Sequence, residues 1–68
     1  MSYKKKIYMA GVGGMLGEAF KKEFELDYKL KCTDIDVNED WLSFLDFRDK
    51  SAYLDDVTNF KPDYLFHI

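Results

Sequence analysis

Four glycines crowd into seven residues near the start of this chain, in the stretch Gly11-Val12-Gly13-Gly14-Met15-Leu16-Gly17. An apolar run at residues 7–10 precedes them, and an amphipathic period follows. A strand–turn–helix of this kind directs free backbone N–H groups and the positive end of a helix dipole at one point. A pyrophosphate group fits there, because glycine lets the backbone approach it closely.

The spacing of these glycines separates one kind of phosphate loop from the others. Gly11, Gly14 and Gly17 fit the pattern G-x-x-G-x-x-G. The G-x-G-x-x-G form needs a glycine where Leu16 stands, and the loop of nucleotide triphosphatases needs a lysine where Glu18 stands. The pattern therefore predicts dinucleotide binding, with a purely structural glycine turn as the alternative.

Loops of this class are followed, about 20 positions later, by an acidic residue at the end of the next strand. Asp34 lies 23 positions after Gly11, at such a strand end. Its carboxylate would accept hydrogen bonds from ribose hydroxyls and would repel a 2′-phosphate. Neither Ile35 nor Asp36 supplies a basic group, so the sequence favours NAD over NADP. The alternatives are a turn or cap role for Asp34, and Asp36 in its place.

The hydrophobic pattern predicts the elements that position these residues, in the order β-α-β-β-α-β. Short apolar runs predict strands at residues 7–10, 30–33, 42–45 and 64–68. Strands that alternate with helices indicate a parallel sheet with right-handed crossovers. The expected fold class is α/β, the first half of a Rossmann-type doubly wound sheet.

Two amphipathic helices connect these strands. The first is predicted to end near Asp27, and the second to begin at a cap, Asp49 or Ser51, and to end at Pro62. Apolar residues three or four apart give the first helix a buried stripe: Met15, Leu16, Ala19, Phe20 and Phe24. The stripe expected for the second helix is Tyr53, Leu54, Val57 and Phe60.

Two helices cover four strands only thinly, and the last strand would lie at an open, apolar edge. We therefore expect residues 1–68 to be the N-terminal part of an NAD(P)-binding Rossmann domain, which the rest of that domain or an oligomer partner completes.

Composition excludes several other classes of protein. The net charge is −3, which argues against a nucleic-acid-binding module, and 47% hydrophobic residues argue against disorder. One cysteine and one histidine exclude a disulfide framework and make a metal site improbable.

No segment has the roughly 20 apolar residues that a membrane span needs. Glycines interrupt the apolar run that follows the N-terminal lysines, so we expect no signal peptide and a cytoplasmic protein.

A few residues resemble catalytic groups but have simpler interpretations. His67 is interpreted as a packed residue of the last strand, and Cys32 as a small core residue. Asp55 and Asp56 are adjacent on a helix, so they do not face one another, and we expect both on its solvated surface.

With the loop, the helix and Asp34 in place, the chain resembles the extended short-chain dehydrogenase/reductase (NAD-dependent epimerase/dehydratase) family. The stretch of residues 11–17 looks most like the dTDP-4-dehydrorhamnose reductase branch, with Ala10 where a threonine is usual. Residues 61–68 resemble the family's fourth strand, K-P-D-x-V-x-H-x-A-A, and read K-P-D-Y-L-F-H-I.

The resemblance also extends to the segment after the third strand. Residues 45–49 are similar to the family's D-x-x-D, in which the first Asp binds the adenine amino group and the next residue adds backbone contacts. That implies adenine-binding roles for Asp46 and Phe47, with a helix cap as the alternative role of Asp46.

Family members transfer a hydride between nicotinamide and a sugar carbon, which implies a nucleotide-sugar substrate for the full-length protein. Their acid–base chemistry depends on a Tyr-x-x-x-Lys pair. No tyrosine of this chain has a lysine four positions on, so no catalytic residue is assigned and the chain alone is expected to be inactive. The alternatives are a non-catalytic Rossmann-like regulatory or binding subunit, and a small protein that only oligomerises.

Overall fold

Six elements make up the part of the chain that the structure, a computed structural model, describes, residues 4–67. They are β1 (Lys5–Ala10), α1 (Met15–Phe24), β2 (Tyr28–Asp34), β3 (Leu42–Phe44), α2 (Lys50–Phe60) and β4 (Tyr64–His67). This is the predicted order. Strands β1 and β2 begin two residues earlier than predicted, because lysines and a tyrosine at their solvated ends continue the pairing. The predicted end of the last strand, Ile68, lies outside the described residues.

The four strands form one parallel sheet in the order β3-β2-β1-β4. In the register of the sheet, Ile7 of β1 lies between Leu30 of β2 and Tyr64 of β4. Strand β4 lies at an edge, as expected. Because all strands run the same way, their carboxyl ends share one edge of the sheet. The fold is therefore α/β, and the glycine loop and Asp34 emerge at that shared edge.

Strand β1 divides the core into two. Ile7 and Met9 belong to the cluster on the α1 side of the sheet, while Tyr8 and Ala10 belong to the cluster on the α2 side. All four are at most 2% exposed. The α1-side core is completed by Val12, Cys32 and Leu42, with Phe20, Phe24, Tyr28, Leu30 and Trp41 packed against it. Leu45 completes the α2-side core, with Ala52, Tyr53, Val57 and Phe60. Cys32 is thus a core residue, as interpreted.

The predicted apolar stripe of α1 is wrong at three positions. Met15 is 89% exposed, Leu16 is 58% exposed, and Ala19 is exposed as well. The face toward the sheet instead carries Gly17, Phe20, Lys21 and Phe24, which follow the same helical spacing. Gly17 lies against the backbone of Val12, where a Cβ would not fit, and Met15 and Leu16 point away from that contact.

Helix α2 is capped at its start by Asp49, whose side chain accepts the N–H of Ala52 at 3.2 Å, so Asp49 and not Ser51 is the cap. The helix ends at Phe60, and its C-cap Lys61 has a left-handed backbone (φ 54°) just before Pro62. The prediction that Leu54 is buried was wrong, since it is 66% exposed. No helix within residues 4–67 is long and apolar enough to cross a membrane.

Asp56 is not the solvated helix residue that the sequence suggested. Its Oδ2 accepts the Tyr8 hydroxyl at 2.5 Å, and its Oδ1 pairs with the Lys31 ammonium at 3.2 Å. Burial, together with the hydrogen bond to Asp56, raises the pKa of Tyr8 well above its ordinary value. One carboxylate therefore connects α2 to both central strands and satisfies the buried hydroxyl.

We expect Asp56→Ala to lower the free energy of unfolding by about 2 kcal/mol, because it leaves the buried Tyr8 hydroxyl without its acceptor. The matched control is Asp55→Ala, an exposed neighbour, which should cost less than about 0.5 kcal/mol. Urea denaturation of the three proteins measures both values. Equal losses in the two variants would contradict the structural role of Asp56.

Stability should also fall at alkaline pH. Burial raises the pKa of the Cys32 thiol from 9.0 to about 11. The free energy of unfolding is therefore unaffected by ionisation of this thiol below pH 9. It falls as the pH rises from 9 toward 11, because the thiol of the unfolded chain ionises while that of the folded chain stays protonated. Cys32→Ala should be less stable than wild type at pH 8, yet lose less stability between pH 8 and pH 10.5. Urea midpoints at the two pH values test this, and parallel losses would refute it.

Candidate functional site

The glycine loop, residues 11–14, turns away from β1 at Gly11. This residue has a φ of 75°, a left-handed conformation that side chains rarely adopt. The N–H groups of Gly11 and Val12 both donate to the carbonyl oxygen of Thr33, at 2.9 and 3.3 Å. The loop is thereby held against the end of β2 before it enters α1.

The other two glycines of the spacing pattern have different physical roles. A Cβ on Gly17 would lie 1.9 Å from the carbonyl oxygen of Val12, so only glycine permits this contact between helix and loop. A Cβ on Gly14 would meet nothing within 4 Å, and Gly14 caps α1 without a side-chain bond. The first helical bond joins the N–H of Glu18 to Gly14. The N–H groups of residues 15–17 therefore have no acceptor within the helix.

Asp34 contacts the glycine loop directly. Its Oδ2 accepts the N–H of Gly13 at 2.9 Å, and its Oδ1 accepts the N–H of Asp36 at 2.9 Å. A Cβ on Gly13 would lie 2.8 Å from the Asp34 Cγ. Because an ionised carboxylate offers about four lone-pair positions, Asp34 retains acceptor capacity for a ligand hydroxyl. The structure thus brings the glycine loop and Asp34, which the sequence predicted to share a site, into direct contact.

Gly13 is the site residue that the sequence pattern missed. The G-x-x-G-x-x-G spacing treats position 13 as variable, whereas the structure makes it the contact point of Asp34. The available signal was the fourth glycine itself, which the spacing pattern did not require.

The segment after β3 lies next to this arrangement, since the N–H of Leu45 donates to the Asp34 carbonyl at 3.1 Å. The Asp46 carboxylate is held by Arg48, with Nε–Oδ1 and Nη2–Oδ2 distances of 2.9 and 2.8 Å. The Arg48 guanidinium lowers the pKa of Asp46. Asp46 also accepts the Arg48 N–H, so it forms a turn and does not cap α2.

Phe47 and His67 meet at this edge of the sheet, with ring centroids 4.5 Å apart in an edge-to-face arrangement. Tyr53 approaches the same imidazole at 6.0 Å. His67 is exposed while its ring packs on these neighbours, so its interpretation as a packed strand residue is only partly right.

A cleft of about 250 Å³ opens beside Gly13, between the glycine loop and the β2–β3 loop. Its lining comes from both loops and from the first turn of α1: Gly13, Gly14, Met15, Glu18, Asn38, Glu39 and Trp41. Except for Gly14 and Met15, none of these was predicted as a site residue. Asn38, Glu39 and Trp41 were missed because the β2–β3 loop carries no recognisable motif.

Comparison of the chain with family models, with curated proteins and with solved structures finds no match. Within residues 4–67, no group of three or more His, Cys, Asp or Glu side chains is placed to hold a metal ion. Evidence on function therefore comes from the geometry of the glycine loop and of Asp34.

Alanine substitutions of the glycines should rank in the order of their contacts. Gly17→Ala should cost about 3 kcal/mol or more, since the backbone carbonyl it meets cannot move aside. Gly13→Ala should cost about 1–2 kcal/mol, because the Asp34 side chain can shift. Gly14→Ala, the control, should cost less than about 1 kcal/mol. Urea denaturation gives the ranking, and a Gly14→Ala loss as large as that of Gly17→Ala would contradict it.

Proposed function

We propose that this chain is the N-terminal, dinucleotide-binding part of a Rossmann-type domain and that it binds NAD in preference to NADP. The observation that carries the proposal is the hydrogen bond between Gly13 and Asp34. It joins a glycine loop that opens a helix to the acidic end of the neighbouring parallel strand, which is the combination that dinucleotide sites use.

The loop offers a suitable place for the pyrophosphate. Met15, Leu16 and Gly17 supply N–H groups without helical acceptors, and the exposed Gly14 leaves room for a close approach. The positive end of the α1 dipole adds a favourable field at the same point. No basic side chain is needed for this mode of binding.

In this proposal Asp34 accepts the ribose hydroxyls, and its negative charge disfavours a ribose that carries a 2′-phosphate. Asp46 and Phe47 would contact the adenine, as the resemblance implies. The Asp46 carboxylate already binds the Arg48 guanidinium, so an adenine amino group would have to share or displace that partner. Asp36 is the weaker candidate for the ribose contact, because its N–H supports Asp34.

The strand order supports a Rossmann-type assignment. The sequence β3-β2-β1-β4 in an all-parallel sheet matches the first four positions of the 3-2-1-4-5-6 order. Tyr64, Leu65 and Phe66 of β4 are exposed at the edge, which supports further strands of the same domain, or a partner, lying beside β4.

The proposed whole protein is a nucleotide-sugar reductase or epimerase of the extended short-chain dehydrogenase/reductase family. NAD supplies hydride transfer in such enzymes. The residues of this chain contribute binding and orientation, since no Tyr-x-x-x-Lys pair occurs in its sequence.

Calorimetric titration with NAD tests the proposal. Asp34→Asn keeps one acceptor oxygen for the Gly13 N–H, loses the acceptor of the Asp36 N–H and removes the charge, and we expect the Kd for NAD to rise about tenfold. The matched control, Asp36→Asn, should change it less than about threefold. Absence of NAD binding to the wild-type protein, or equal effects of the two variants, would overturn the proposed role of Asp34.

A further inference from the structure

The cleft is connected to the Asp34 carboxylate through one shared residue, Gly13. Gly13 lines this cleft and also donates its N–H to Asp34. A ribose bound to Asp34 would therefore lie at the mouth of the cleft, and a substituent on its 2′ oxygen could extend inside. What lines the cleft then decides which ribose the site accepts.

The charged side chains that line the cleft are both acidic. Glu18 comes from α1 and Glu39 from the β2–β3 loop, and none of the described lining residues is basic. Two nearby cations are paired with carboxylates: Lys22 with Glu18 of the lining itself at 3.3 Å, and Lys21 with Glu25 at 2.9 Å. Among the described residues, no ion pair involves Glu39.

The lining also includes an aromatic side chain. Trp41 is half-buried against the α1-side core, and the Lys21 ammonium lies 5.5 Å from its ring centroid. Asn38 adds a neutral amide to the rim. Trp41 and Asn38 can contact an uncharged sugar or a ring, and the Lys21 ammonium beside Trp41 is paired with Glu25.

We propose that Glu39, assisted by Glu18, is a specificity-determining residue that rejects a 2′-phosphorylated ribose from the cleft, so that the site takes a dinucleotide with a free 2′-hydroxyl. This inference rests on the proposed function, and it adds a second source of discrimination to the charge of Asp34. Glu39 is exposed, so its repulsion of a like charge acts through solvent and is screened by salt.

The test measures the Kd of NAD and of NADP for wild type, Glu39→Gln and Glu39→Lys. Trp41 is the sole tryptophan, so its fluorescence reports directly on occupation of the cleft, and calorimetry gives an independent Kd. Glu23→Gln is the control: it makes the same charge change on an exposed position of α1 that does not line the cleft.

Glu39→Gln should lower the ratio of the NADP Kd to the NAD Kd by about two- to fivefold at low salt. Glu39→Lys should lower it further, and both effects should shrink at 0.5 M salt. Glu18→Gln should act in the same direction as Glu39→Gln, because it also leaves the Lys22 ammonium unpaired.

A ratio that changes no more in Glu39→Gln than in Glu23→Gln overturns the inference. NAD binding seen by calorimetry without a change in Trp41 fluorescence overturns it as well, and leaves the proposed function intact. If the wild-type protein binds neither dinucleotide, the proposed function fails, and the inference fails with it.

Discussion

The rest of this structure depends on the burial of strand β1 on both of its faces. Residues 7–10 are almost fully covered, with one helix over each side of the sheet. A strand covered in this way needs crossover connections to its parallel neighbours, and these connections place the strand ends at one edge. The glycine loop follows β1 at that edge, and Asp34 ends the adjacent strand, so their meeting is a consequence of the topology. The site is therefore built by the same constraint that builds the core.

Much of this arrangement could be predicted because the local signals agree with the fold. The apolar run before Gly11, the cap at Asp49 and the stop at Pro62 each have a short-range physical cause, and each element lies where these signals put it. The spacing of the glycines likewise predicted a turn between strand and helix. The left-handed backbone of Gly11 and the tight packing of Gly17 give that spacing its physical basis.

What the sequence did not predict depends on contacts between distant parts of the chain. Hydrophobic periodicity assigned Met15 and Leu16 to the core, but in the structure Gly17 faces the Val12 backbone and both of these side chains are exposed. Asp56 looked like a surface residue because nothing local connects it to Tyr8, 48 positions earlier. The contact of Gly13 with Asp34 and the lining of the cleft by the β2–β3 loop likewise join residues that are distant in the sequence. Their cause lies in tertiary packing, which a spacing pattern does not contain.

We propose that a dinucleotide binds at the edge formed by the glycine loop and Asp34. Amide nitrogen–proton NMR spectra recorded during titration with NAD test this binding residue by residue. We expect chemical-shift changes to concentrate at residues 11–17 and 34–36, while amides at the opposite edge, such as Lys6 and Asp63, keep their chemical shifts. Shifts centred on β4 or on the opposite edge, or no shifts at all at millimolar NAD, would contradict it.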